Sequence, residues 1–95
     1  MKMNTHLANK FKRELEGCTI HDNYIQNSSI DRQPIEYLII SIGSHHYAIS
    51  YRIWYVINEI ETPTRDAYSL SEPLAFSGNR LKEYIKQLKI KNIVN

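Results

Sequence analysis

The sequence predicts an α+β fold. It is expected to be a three-stranded antiparallel sheet with an N-terminal and a C-terminal helix on one face, in the order α-β-β-β-α. Three observations lead there. The stretch Ile35 to Ile60 (IEYLIISIGSHHYAISYRIWYVINEI) holds most of the strong β-formers and centres on the turn signal Gly43-Ser44. Segments near both ends repeat apolar residues at helical spacing. Ninety-five residues, 42% of them hydrophobic, suit one small domain over 1–95 with one core.

The first helix is expected over Thr5 to Glu16. Leu7, Phe11 and Leu15 recur at i, i+4 and i+8 with Ala8 beside them, which makes one narrow apolar stripe. Asn4 or Thr5 can cap the start, and Gly17 follows the last periodic residue as a C′ glycine. Cys18 to Gln26 alternates weakly. Cys18, Ile20, Asp22 and Tyr24 fall in one phase, and Thr19, His21, Asn23 and Ile25 in the other. Its polarity suits an edge strand. Asn27 to Gln33 is a polar loop, and Pro34 delays pairing until Ile35.

The hairpin follows from Gly43-Ser44. Glycine takes a positive φ at the first central position of a type II′ turn without a Cβ clash. Ile42 then faces His45, Ser41 faces His46, Ile40 faces Tyr47, Ile39 faces Ala48, Leu38 faces Ile49, and Tyr37 faces Ser50. One sheet face carries Leu38, Ile40, Ile42, Tyr47 and Ile49, continuing to Tyr51, Ile53, Tyr55 and Ile57 as core. The other carries Tyr37, Ile39, Ser41, His46, Ala48, Ser50, Arg52 and Trp54. Tyr47 to Ile57 exceeds the usual strand length, so a bulge or bend is expected near Ile53 to Val56. Ile49, Ile53, Val56, Ile57 and Ile60 also fit helical spacing, which leaves a switch into helix as the competing reading.

Thr62 to Ser77 has no clear period and contains Pro63 and Pro73. Long connections of this kind are usually functional or mobile. Tyr68, Leu70, Leu74 and Phe76 could tack it to the core, with a short strand near Ala67 to Leu70. The last helix is expected over Ser77 to Lys91. Ser77 is its N-cap, and Phe76 with Leu81 stands at staple positions. Leu81, Ile85 and Leu88, flanked by Tyr84, form the buried stripe beside a basic stripe of Lys82, Lys86 and Lys89, and Ile93 to Asn95 are expected to fray.

Composition narrows the function classes. The single Cys18 rules out an internal disulfide framework. Met1 to Leu15 lacks the apolar region of a signal peptide, and no window approaches a membrane span. The expectation is a cytoplasmic protein of a bacterium, phage or prophage. Net charge is only +2 but uneven. Lys10, Lys12 and Arg13 stand near one end, and Arg80, Lys82, Lys86, Lys89 and Lys91 near the other. A more acidic centre lies between them.

Chemistry-bearing motifs are sparse. Cys18 and His21 have the spacing of half a zinc site. The adjacent His45 and His46 point to opposite sheet faces and make a poor second half, so no metal or other cofactor is expected. The glycines are isolated and no carboxylate pair has an informative spacing, so no catalytic residue is assigned and binding is expected in place of chemistry. The first choice is a protein partner, as for a small inhibitor, immunity protein or mobile-element modulator. Tyr37, His46, Arg52 and Trp54 form its surface, because Tyr, Arg and Trp dominate interface hot spots. Ile39 and Ala48 enlarge that face, and a homodimer through it is the related expectation.

The alternative partner is a nucleic acid. The element order is that of double-stranded-RNA-binding modules, with His45, Arg80, Lys82, Lys86 and Lys89 as contacts. The strings GSHHYAI and LKEYIKQLKI are similar to segments of HicA-type toxins, small RNA-cleaving proteins of that fold. That resemblance implies His46 or His45 as the active histidine. The chain departs from the pattern by an extra strand and loop between Gly17 and Gly43.

Overall fold

The computed structural model describes residues 6–94. The α+β class holds, but the sheet has five strands where three are expected. The elements are α1 (His6–Lys10), β1 (Thr19–Asn27), β2 (Pro34–Ile42), β3 (His45–Tyr51), β4 (Tyr55–Ile60), β5 (Leu74–Phe76) and α2 (Gly78–Val94). The strands lie in sequence order, each antiparallel to the next.

The hairpin has the expected register throughout, from Ile42 opposite His45 to Tyr37 opposite Ser50. Gly43 has φ +62° and Ser44 does not share the positive φ, as a type II′ turn requires. The predicted long strand instead folds back on itself. Tyr51 closes β3, Tyr55 opens β4, and the two pair directly across a bend at Arg52 to Trp54. That excludes the helical reading of Ile53 to Ile60. Unbroken, the strand would run on for roughly 20 Å beyond Tyr51, where its pairing with β2 ends. Folded back, Ile57 pairs with Ile49 and Val56 with Ser50.

The bend is odd in length, so the face parity survives it. Leu38, Ile40, Ile42, Tyr47, Ile49, Tyr55 and Ile57 form one core with Leu7, Phe11 and Leu15 below and Leu81, Ile85 and Leu88 beside them. Ile53 is the exception. It sits at the apex of the bend and is exposed, although alternation assigns it to the core.

Both helical segments cover this face. The first is shorter than expected: α1 ends at Lys10, and turns carry the chain on to Gly17. Phe11 N donates to Leu7 O, and Leu15 N to Phe11 O, so the apolar stripe stays buried although the regular helix stops. The Asn4 or Thr5 cap lies outside the described residues. α2 starts after Ser77, whose Oγ accepts from Arg80 N at 3.4 Å as an N-cap does, and it runs through Val94, beyond the point where fraying is expected.

β1 carries a bulge between Ile20 and Asp22. Asn23 and Ile25 then share the helix-side face of Leu38 and Glu36, while Asp22 and Tyr24 pair with Ile39 and Tyr37. Simple alternation puts Ile20 and Asp22 in one phase, and the extra residue separates them.

The connection from β4 to β5 lies over the second sheet face. Its later part runs back along β4: Glu61 N donates to Tyr68 O at 2.9 Å, Leu70 N to Glu59 O at 2.8 Å, and Ile60 bridges Ser69. Its earlier part reaches β1, where Arg65 Nε and Nη2 donate to the two Asp22 carboxylate oxygens at 2.6 and 3.1 Å. Ile39 (1% exposed) and Ile60 (4%) are therefore buried opposite the helices. This corrects the expectation that Ile39 lies open on that face, while Ala48 stays half-buried. The short strand expected near Ala67 to Leu70 is only that single bridge. The strand itself is β5.

Candidate functional site

The sheet topology gathers two connections at one end. β1 turns into β2 at Ser28 to Gln33, and β3 turns into β4 at Arg52 to Trp54. The first loop is tightly built. Arg32 N donates to Ser28 O, Ser28 N to Gln33 O, Ile30 N to Ser28 Oγ and Gln33 N to Asp31 Oδ1, with Arg32 at φ +60°. Arg52 Nη2 donates to Asp31 Oδ2 and ties the two loops together. The hydrogen bond from Gln33 N, with the Arg52 charge adding to it, holds the Asp31 carboxyl below its ordinary range.

Around this ion pair the chain presents apolar side chains to solvent. Ile30 is 93% exposed, Ile53 72% and Trp54 64%. Trp54 is thus no core residue, and it is not on the sheet face with Tyr37 and His46. Beside the pair lies a recess of about 200 Å³ lined by His6, Ile25, Pro34, Glu36, Tyr51 and Arg52. Its floor is rigid. Glu36 is buried and accepts from Leu7 N at 3.3 Å and Asn23 Nδ2 at 2.9 Å. The His6 and Tyr51 rings stand 4.4 Å apart, and His6 Nε2 meets Tyr55 Oη at 2.8 Å. Burial pushes the Tyr55 phenol up.

Tyr37 and His46 lie on the second sheet face. Tyr37 stacks on Tyr24 at 5.0 Å, and the Arg65 guanidinium sits 3.9 Å from the Tyr24 ring centre. His46 Nδ1 and His21 Nε2 each lie 2.6 Å from Ser41 Oγ, with the two rings 6.2 Å apart. One hydroxyl can donate to one ring and accept from the other, so the three groups form a short hydrogen-bonded chain. Ser41 is nearly buried at its centre. Sequence reading missed His21 and Ser41 here, because the β1 bulge that aims His21 at this face leaves no mark in the alternation. Among the described residues, no three His, Cys, Asp or Glu side chains gather as metal ligands. The Cys18 thiol turns to Glu14 O, away from this cluster, and burial raises its pKa.

Of the residues assigned to nucleic acid, four lie on α2, and His45 stands apart on β3. His45 Nδ1 meets Glu59 Oε2 at 2.9 Å. Arg80 lines a recess of about 490 Å³ with Phe76, Glu83 and Tyr84. Lys86 pairs with Glu83 at 3.4 Å, and Lys89 Nζ donates to Glu16 O at 2.6 Å. Lys82 instead borders the first helical segment.

No family model matches the chain, and neither a curated protein nor a solved structure does. Among the described residues no helix is long and apolar enough to cross a membrane.

Proposed function

We propose that this is a cytoplasmic binding protein that docks a protein partner on the end of its sheet, acting by occupancy as a small inhibitor or modulator does. The observation that carries the reading is the exposure of Trp54, Ile53 and Ile30 around the Arg52–Asp31 pair. Tryptophan and arginine set among exposed aliphatic residues have the composition of an interface hot spot. The rigid loop and the ion pair fix the patch before binding, which lowers the entropy cost of docking. Of the residues assigned from sequence, Arg52 and Trp54 belong to this surface; Ile30 and Ile53 join them.

The test is affinity capture from host cells by the wild type and by the Ile53→Ser/Trp54→Ser double variant. A specific partner should be retained by the first and reduced more than tenfold with the second, while the unfolding midpoint stays unchanged. Equal retention by both would remove this surface from the account.

A further inference from the structure

The fold brings together two basic segments that lie far apart in sequence. Lys10, Lys12 and Arg13 of the first helical segment and Lys82 of α2 line one groove of about 350 Å³, with Asn9 and Glu14 completing it. Four cations face one carboxylate, and Glu14 is nearly buried. None of the four cations has an ion-pair partner among the described residues.

The helix end beside them does not offset this charge. The first turn of α2 holds no acidic residue, and a helix N-terminus is itself partly positive. Lys10 nonetheless lies across that turn: a Cβ added at Gly78 would come within 2.5 Å of Lys10 Cε and 3.2 Å of Nζ. Gly78 therefore leaves room for a cation where the helix disfavours one. Further along, Lys89 Nζ bonds to Glu16 O, so with Lys82 in the groove α2 runs beside the Lys10 to Glu16 segment over roughly 10 Å of helix. The groove is thus two-walled, and its four lining cations outnumber its one carboxylate, so a polyanion would complete it.

We propose that this groove binds the phosphodiester backbone of a nucleic acid without reading its bases. Its lining has no aromatic ring on which a base could stack and no aliphatic side chain that could enter a bilayer. Cations set inside a concave groove suit a strand of phosphates better than a flat lipid surface. The site uses neither His45 nor His46 and is independent of the sheet-end patch.

The test is fluorescence anisotropy with labelled short DNA duplexes and single-stranded RNAs of unrelated sequence, at low salt. Binding should be insensitive to sequence and fall steeply with salt. Lys12→Gln, Arg13→Gln and Lys82→Gln should each lower the log–log salt slope by about 1, and the triple variant should lose more than tenfold in affinity. Should the triple variant not fold, the three single slopes decide. Arg80→Gln and Trp54→Ser should bind as the wild type does, and Lys82→Arg should retain affinity. Absence of binding at low salt, unchanged slopes in the variants, or binding to anionic phospholipid vesicles but not to oligonucleotides would each overturn the proposal.

Discussion

Gly43 and the Asp22–Arg65 pair show how single residues set this architecture. At φ +62°, Gly43 holds a conformation that costs a residue with a side chain about 1–2 kcal/mol. An added Cβ would also meet Asn92 Cβ at 3.3 Å. Gly43→Ala should therefore lower stability by about 1–2 kcal/mol, read as a shifted denaturation midpoint with an unchanged slope. Asp22 works on the other sheet face. Its hydrogen bond from Arg65 holds its carboxyl below the ordinary range. A carboxyl lowered on folding stabilises the fold above its unfolded pKa, about 4, and that contribution fades as pH falls through the lower folded value. The connection anchored by Arg65 should thus loosen in acid. Amide exchange checks this at Glu61, whose N–H is bonded to Tyr68 O. Its protection factor should fall between pH 6 and pH 3 in the wild type and should already be low at pH 6 in Arg65→Ala. Equal protection at both pH values in the wild type would show that the anchor carries no load.

At the scale of elements, periodicity and turn chemistry carry the reading as far as local rules reach. Gly43-Ser44 sets the register of β2 and β3, and the stripe of Leu81, Ile85 and Leu88 fixes the buried face of α2. Leu81→Ala should cost about 2–5 kcal/mol, because Leu81 is fully buried where α2 meets the sheet. Ile53→Ser, by contrast, should change stability by less than about 0.5 kcal/mol. Denaturant unfolding distinguishes the two, although alternation alone assigns Ile53 to the core. The strand count is where local rules fail. Nothing in Arg52-Ile53-Trp54 is a turn signal, and the reversal pays off only through the pairing it creates, such as that of Ile57 with Ile49. The core face was still legible, since a three-residue bend keeps odd positions on one side. The bulge at His21 and the path of the β4–β5 connection were not legible, because each depends on partners far along the chain: Ser41 for one, Asp22 for the other.

Across the whole molecule, the two sheet faces are closed by different means. One lies under the two helical segments. The other is crossed by the β4–β5 connection, tied down through Arg65 and Asp22, and Ile39 and Ile60 lie buried on it apart from the main core. Large apolar side chains left in solvent on a small protein call for an explanation, and Ile30, Ile53 and Trp54 meet at the sheet end around one ion pair. Of the site, Arg52 and Trp54 were legible as residue types. Their companionship with Ile30 was not, since only the strand order brings the two loops together. The claim that this end docks a protein is tested most directly by photo-cross-linking in host cells. A photoreactive side chain would replace Ile53 in one variant and Ile90, a similarly exposed residue on α2, in another. A discrete higher-mass adduct from position 53 and none from position 90 is the predicted result. No adduct at 53, or the same adducts from both positions, would contradict it.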